Sequence, residues 1–206
     1  KNPHHCLNVG EHTLRAMQAV RPDKILRLAM LFHDFGKPDC ASADENGTDH
    51  FHGHGAVSSK MAEEILKRLR YDNDTIDRVR ELVYWHDMEI LPEKRAVRRA
   101  ASKVGKELFP LLLEVKQADL AAQSDYQRPQ KEEWLRSLHD IYEQIQEEGD
   151  CLSLKDLAVT GRDLIAAGMK PGPQLGQTLQ NLLQLVLEDP SRNSKEYLLS
   201  NLPKET

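Results

Sequence analysis

Apolar residues recur three and four positions apart along most of the chain, which is the spacing of helices that bury one face. Alternating runs of β-branched or aromatic residues, which would indicate strands, are never long. The expected fold class is therefore all-α. The pattern predicts helices over residues 7–20, 23–34, 54–69, 74–86, 108–122 and 131–148, and places the basic run 94–103 on a further helix.

Five of these apolar stripes contain a side chain that ordinarily avoids a protein core. The five residues are His12, His33, His54, His86 and Asp119, and Asp34 directly follows His33. An unpaired imidazole or carboxylate costs several kcal/mol to bury, so these groups need partners. A single such histidine is usually a hydrogen-bonded core residue, but that explanation would have to hold independently on five helices. Imidazole nitrogen and carboxylate oxygen both suit divalent transition metals, so the sequence predicts a metal centre.

The order of these residues carries a resemblance. His12, His33-Asp34 with Gly36-Lys37, His54, His86 and Asp119 resemble the motif of the HD-domain metal-dependent phosphohydrolases over residues 5–125. The resemblance implies the HD-domain helical fold. A further likeness, to the HD subdomain and C-terminal tail of bacterial tRNA CCA-adding enzymes, rests on residues 2–5, 9–14, 156–164, 168–176 and 193–199. This second likeness implies that tRNA is a possible partner.

The ligand roles follow from the motif. One divalent ion is expected on His12, His33, Asp34 and Asp119, and a second on His54 and His86 with Asp34 bridging the two. If only one ion binds, His54 and His86 would instead donate hydrogen bonds to phosphate. The metal is open among Mn, Ni, Fe, Co, Zn and Mg. Asp34 is the expected general base, and Lys37 is expected to bind phosphate or to orient Asp34, with an exposed structural lysine as the alternative.

Two ligand assignments have neighbours of the right chemistry. His50 and His52 alternate with His54, and only His54 begins a helical stripe. Asp87 follows His86 but should point away from the stripe. His54 and His86 are therefore the preferred ligands at these two places.

Phosphate-binding residues outside the motif are expected in the basic run, which lies between His86 and Asp119. Arg95, Arg98 and Arg99 would line the mouth of the site, although such a run is more often a solvated face. In the tail, residues 168–173 precede a helix whose N-terminus suits phosphate, yet the same glycines and prolines are ordinary helix punctuation. The net charge of −5 gives no domain-wide attraction for a polyanion.

Two domains are expected: an HD metal-binding domain over 1–150 and a helical tail over 151–206. The chain contains no glycine-rich loop followed by the Asp-x-Asp pair of a nucleotidyltransferase head, so we do not expect nucleotide addition by this chain alone. Whether it is the rear part of a longer enzyme or a free-standing relative stays open, as does the oligomeric state.

Composition supports a cytoplasmic helical protein. The 206 residues are 39% hydrophobic, and no window of about 18 apolar residues or signal-peptide pattern occurs, so we expect no membrane partner. Cys6, Cys40 and Cys151 are odd in number and widely spaced, which disfavours disulfides and favours inert buried thiols. His139 lies off the stripe of its helix and is expected on the surface.

The predicted function is metal-dependent hydrolysis of a nucleotide or RNA-end phosphoester. The resemblance implies a 2',3'-cyclic phosphate, a 2'-phosphate or a small phosphomonoester as the substrate, and no residue selects among them. Two alternatives stay open: a di-iron oxygenase built on the same ligands, and a tRNA-binding or structural module whose metal site is not catalytic.

Overall fold

The computed structural model describes residues 8–43 and 49–203. The all-α prediction is confirmed. The helices are α1 (Val9–Ala19), α2 (Lys24–Phe32), α3 (His54–Arg68), α4 (Asn73–Trp85), α5 (Lys94–Val104), α6 (Phe109–Ala122), α7 (Arg128–Glu147), α8 (Gly161–Ala166), α9 (Pro173–Glu188) and α10 (Lys195–Ser200). The predicted helices agree with these bounds to within a few residues, because each carries an apolar stripe that tertiary packing buries.

Side chains at the helix starts explain why several helices begin where they do. Asn8, Asp23 and Asp72 each accept a hydrogen bond from a backbone N–H in the first turn of α1, α2 and α4. Thr160 begins α8 with a reciprocal pair of bonds to Asp163. These first-turn N–H groups have no partner inside their own helix, so a side-chain acceptor there fixes the starting residue.

The first of two compact units contains the chain up to Glu89 together with Glu107–His139. Within it α3 packs along α4, α1 packs along α6, and α2 contacts both α4 and α6. Its core consists of fully buried aliphatic and aromatic side chains, including Leu26, Met30, Leu66, Leu82, Phe109, Leu112 and Leu138. All six predicted metal ligands belong to this unit.

The second unit contains Ile90–Lys106 and the chain from Asp140 onward. Here α9 packs against α5 and α8, over a core of Ile145, Leu152, Leu164, Leu182 and Leu187. Helix α5 and the end of α7 thus group with the tail residues. The predicted domain boundary near residue 150 stays a prediction.

Between α2 and α3 the structure describes two short strands, at a place where the sequence pattern predicts neither a helix nor a strand. A 3₁₀ turn over Pro38–Cys40 leads into two-residue antiparallel strands, β1 (Ser42–Ala43) and β2 (Asp49–His50), with Ser42 opposite His50. Two residues are too few for alternation to be visible in a sequence, which is why periodicity did not find them.

The remaining composition-based expectations concern cysteines and membranes. Cys40 and Cys151 are free, and burial raises the pKa of Cys151 to about 11, so its thiol stays protonated and unreactive at neutral pH.

Among the described residues no helix has the length and apolarity that a bilayer crossing requires. Cys6 and the matched residues 2–5 lie outside the described residues.

The N-cap of α4 allows a pH prediction. The N–H and hydroxyl of Thr75 bond to Asp72 and, with Lys24, lower the pKa of Asp72 from 3.8 to about 2. A lowered pKa means that the carboxylate stabilises the fold above pH 3.8, and that this contribution disappears as the pH falls to about 2. We expect Asp72→Asn, which keeps a capping oxygen, to be slightly less stable than the wild type at neutral pH. Urea denaturation of both proteins across this window should show the difference closing, whereas a constant difference would contradict the assignment.

Candidate metal centre

Two of the histidines occupy the same local position at the ends of different helices. His33 is the C-cap of α2 and His86 is the C-cap of α4, both with helical backbone angles. Each ring turns back on its own helix: Nδ1 of His33 lies 2.7 Å from the carbonyl oxygen of Met30, and Nδ1 of His86 lies 2.7 Å from that of Val83. Helix ends leave such carbonyls without a backbone partner, so the imidazole and the helix satisfy each other.

His54 enters the site because α3 begins directly beside the turn after α2. Gly53, with a φ of 77°, starts the helix, and Nδ1 of His54 lies 2.9 Å from the carbonyl oxygen of Phe51. Gly36 sits against this helix start: its N–H donates to Ser58 Oγ at 2.8 Å. A Cβ on Gly36 would lie 2.7 Å from the carbonyl oxygen of His54. The glycine is needed for this close approach.

His12 and Asp119 come together because α1 packs along α6. Nδ1 of His12 lies 3.3 Å from the carbonyl oxygen of Ala122, at the end of α6, and Nε2 lies 2.9 Å from Asp119 Oδ1. The Asp119 side chain is 23% exposed to solvent, whereas His12, His33 and Asp34 are nearly fully buried. Asp119 therefore lies on the side of the centre that water reaches.

The six predicted residues form two adjacent groups. His12, His33 and Asp119 make one group, and Asp34, His54 and His86 make the other. Within the first, the Nε2 atoms of His12 and His33 are 3.2 Å apart. Within the second, the Nε2 atoms of His54 and His86 are 3.0 Å apart.

The Asp34 carboxylate lies between the two groups. Its Oδ2 is 3.4 Å from His33 Nε2 and accepts a hydrogen bond from Lys37 Nζ at 2.7 Å. Its Oδ1 faces the other group, 3.5 Å from His54 Nε2 and 3.8 Å from His86 Nε2. This buried Oδ1 has no hydrogen-bond partner among the residues that the structure describes. A buried carboxylate oxygen in that state is costly unless a cation binds it.

Electrostatic interactions within the centre keep both of its carboxyl groups ionised. Burial favours protonated carboxyl groups, yet the surrounding histidines and Lys37 hold the pKa of Asp34 below its usual value. Asp119 behaves likewise: despite burial, hydrogen bonds with His12 and His33 keep its pKa well below the usual value. Burial, together with the neighbouring His33, lowers the pKa of His86 to about 4. At neutral pH the centre therefore holds two carboxylates and a neutral His86.

The ring tautomers give a test of whether this donor set fits a metal. A carbonyl oxygen only accepts hydrogen bonds, so the carbonyls at all four Nδ1 atoms place the proton of each neutral ring on Nδ1. The Nε2 atoms then present lone pairs, and two pairs of them face each other at 3.2 and 3.0 Å. Two facing lone pairs repel, so either a proton on one ring of each pair or a metal ion must lie between them. The carboxylates of Asp119 and Asp34 raise the pKa of His33 and of His54 despite burial, so these two rings hold that proton when no ion is bound, and a bound ion would replace it. Nitrogen and carboxylate donors with carbonyl-bonded second nitrogens are the usual ligands of catalytic transition metals, so the residues fit.

The structure distinguishes the preferred ligands from their neighbours. His52 is exposed, and Asp87, 48% exposed, faces Nδ1 of His54 from outside the two groups. The side chain of His50 is outside the described part of the structure. His139 is exposed on α7, as predicted.

Residues predicted to bind phosphate divide into two sets. Lys37 is buried beside Asp34, which contradicts the alternative that it is an exposed lysine. The three arginines belong to the second unit. Arg98 is buried and donates to Asp150 and to the last carbonyls of α9, while Arg95 and Arg99 pair with Glu188. These contacts tie α5 to α9, and their phosphate role stays a prediction that the contacts do not favour.

Sequence patterns missed a buried cation behind the site. Lys116 of α6 donates to the carbonyl oxygens of His86 at 2.8 Å and Met88 at 2.7 Å, and burial lowers its pKa to about 8. These hydrogen bonds satisfy backbone carbonyl groups at and just after the end of α4, where His86 lies. The sequence does contain a sign of this buried cation, because Lys116 stands among the apolar residues of α6.

Comparison with known proteins shows a similarity to tRNA nucleotidyltransferases. Residues 54–202 match the family model described as tRNA nucleotidyltransferase domain 2. The chain is 34% identical to a CC-adding tRNA nucleotidyltransferase of Thermus thermophilus and 29% identical to an A-adding tRNA nucleotidyltransferase of Deinococcus radiodurans. These alignments cover 89% and 87% of the chain but only 42% and 43% of the relatives. No solved structure is a significant match to the chain.

Proposed function

The chain belongs to the tRNA nucleotidyltransferase domain 2 family, and from this membership we propose that its six-residue centre is a metal-dependent phosphohydrolase acting on a nucleotide or an RNA end. The observation that carries the proposal is the buried Asp34 Oδ1 without a hydrogen-bond partner among the described residues, beside two pairs of histidine Nε2 atoms that lie 3.2 and 3.0 Å apart. Burying these nitrogen and oxygen donors costs free energy unless they are satisfied, and divalent cations would satisfy them as ligands.

Each group would hold one divalent ion. His12, His33 and Asp119 would bind the first, His54 and His86 the second, and Asp34 would bridge them with one oxygen toward each group. When bound, such ions supply an activated water and stabilise the charge that develops on a transferring phosphoryl group.

The chain's own residues supply orientation and proton transfer. Lys37 holds Asp34 Oδ2 at 2.7 Å and so fixes the plane of the carboxylate. Asp34, ionised at neutral pH, would accept the proton of the attacking water. Lys37 also brings one positive charge to the edge of the centre, where it would attract the phosphate of a substrate.

The substrate class follows from the family. Both relatives bear names that describe tRNA nucleotidyltransferases, so the proposed substrate is the kind of phosphoester found at an RNA end: a 2',3'-cyclic phosphate, a 2'-phosphate or a small phosphomonoester. Asp119 is the one partially exposed residue of the six, so such an end would approach the centre from the side of Asp119.

The test is elemental analysis of freshly purified protein, followed by a phosphodiesterase and phosphatase screen with added Mn²⁺, Ni²⁺, Co²⁺ and Mg²⁺. We expect about two ions per chain, from the two donor groups, and turnover that a chelator removes. No metal and no turnover under any condition would overturn the proposal. A tightly bound iron pair without phosphatase activity would instead favour the di-iron oxygenase.

We also propose that the chain binds tRNA, since both curated relatives are tRNA nucleotidyltransferases. With a net charge of −5, binding must use a local surface, and its affinity should fall as salt rises. If the chain is instead a tRNA-binding module whose metal site is not catalytic, replacing Asp34 by Ala should leave that affinity unchanged, because the RNA surface would not depend on the metal centre. Filter binding of labelled tRNA across a salt series would measure both effects.

A further inference from the structure

The two oxygens of Asp119 have different partners. Oδ1 faces the centre, 2.9 Å from His12 Nε2. Oδ2 faces away and accepts a hydrogen bond from the side-chain amide of Gln123, whose Nε2 is 2.9 Å distant. The amide oxygen of Gln123 in turn accepts a hydrogen bond from Lys131 Nζ at 2.8 Å. A chain of two hydrogen bonds therefore runs from α7 through the end of α6 to a proposed metal ligand.

The chemistry of the three groups allows only one orientation of this chain. A lysine ammonium donates hydrogen bonds and cannot accept them, so it requires the oxygen of the Gln123 amide. A carboxylate accepts and cannot donate, so it requires the nitrogen. The two neighbours together fix which way the amide faces. Without Lys131, the amide would lose the contact that holds it in the orientation useful to Asp119.

The backbone around Gln123 is held independently of these side chains. Arg128 donates to the carbonyl oxygens of Leu120 at 3.3 Å and Gln123 at 2.8 Å. The same turn supplies the Ala122 carbonyl that bonds to Nδ1 of His12. A change confined to the Gln123 or Lys131 side chain should leave this turn in place and alter the Asp119 carboxylate alone.

We propose that Gln123 and Lys131 are positioning residues that present a single oxygen of Asp119 to the metal and set the affinity of one of the two ion positions. This inference rests on the proposed metal centre. Gln123 occupies Oδ2, so the carboxylate cannot rotate to offer both oxygens or to turn away from His12. Gln123 bonds to Asp119, which belongs to the first group, so the second group, with His54 and His86, should be unaffected.

Binding of Mn²⁺ alone to the full chain, measured by electron paramagnetic resonance, tests the proposal. In Gln123→Ala one class of ions should bind about 10- to 100-fold more weakly, which is the usual effect of losing an outer partner of a metal ligand, and the other class should be unchanged. Lys131→Met should weaken the same class, and Lys131→Arg, which keeps a donor, should restore it. Gln130→Ala, an exposed glutamine beside Lys131, is the matched control.

Coupling between the two variants separates positioning from general damage. If Lys131 positions Asp119 through the Gln123 amide, the loss in the double variant should be no larger than in Gln123→Ala. Equal weakening of both classes of ion, or unchanged Mn²⁺ binding in both single variants, would overturn the proposed positioning role of Gln123 and Lys131. If Gln123→Ala fails to fold, Lys131→Met decides alone. Absence of Mn²⁺ binding by the wild type would instead overturn the metal centre itself.

Discussion

Asp34→Ala should abolish hydrolysis and should release metal from both groups, since Asp34 is the residue whose two oxygens face both. The loss of turnover should be larger than the factor of about 10 to 100 that is typical when a residue hydrogen-bonded to a metal ligand is removed. The variant should also melt at a lower temperature, because Lys37 is left buried without its carboxylate. Turnover, bound metal and thermal melting by circular dichroism would be measured on the same preparation.

Two further variants make this result interpretable. Asp39→Ala removes an exposed carboxylate five residues away and should behave as the wild type. Asp34→Asn keeps the side-chain volume and should retain the helical signal while losing turnover. Full activity in either Asp34 variant would refute the role of this residue. Complete unfolding of both would indicate that the metal has a structural role.

Gly36→Ala should damage the site without touching a ligand. The new Cβ would lie 2.7 Å from the His54 carbonyl oxygen, 2.8 Å from the Ser58 nitrogen and 2.8 Å from the Val57 Cβ. Two of these three are backbone atoms of α3, so the helix must move, and His54 moves with it. Overpacking of this kind costs about 3 kcal/mol, at the upper end of the usual range. Urea denaturation would measure the loss, and metal analysis should show fewer bound ions.

Gly176→Ala is the matched control for this variant. Gly176 lies in α9, and a Cβ there would meet nothing within 4 Å. Because alanine favours helix over glycine, this change should stabilise the protein by about 0.5–1 kcal/mol. If Gly36→Ala is as stable as Gly176→Ala and binds its metal fully, the close approach has no importance for the centre.

Sequence could predict the helices and the six clustered residues because both depend on burial. A stripe such as Ile76, Val79 and Val83 predicts a buried face, and His86 at its end then predicts a buried imidazole. The structure brings that ring within 3.0 Å of His54. What periodicity supplies is the direction in which a side chain points, and six polar side chains directed into one core must meet.

The partners of these residues could not be predicted in the same way. Gln123 lies four residues after Asp119, so the two share a helical face, but many glutamines have such neighbours. Arg98 shows why charge alone is a weak guide. Its place in a basic run predicts a phosphate contact, and this role stays a prediction. Its guanidinium bonds to Asp150 and to the end of α9, which are 52 to 90 residues distant along the chain. Charge in a sequence does not reveal which charges are already neutralised by the fold.

The histidine contacts also have a consequence for the order of folding. His33, His54 and His86 each bond to a carbonyl three residues earlier, so their rings are oriented as soon as the local turn forms. His12 bonds to Ala122, which is 110 residues away, and its ring is oriented only once α1 has docked on α6. Contacts of such large sequence separation form late and open first. We therefore expect hydrogen exchange to show α1 as the least protected helix of the centre, with three of its four imidazoles already in place before α1 closes over them.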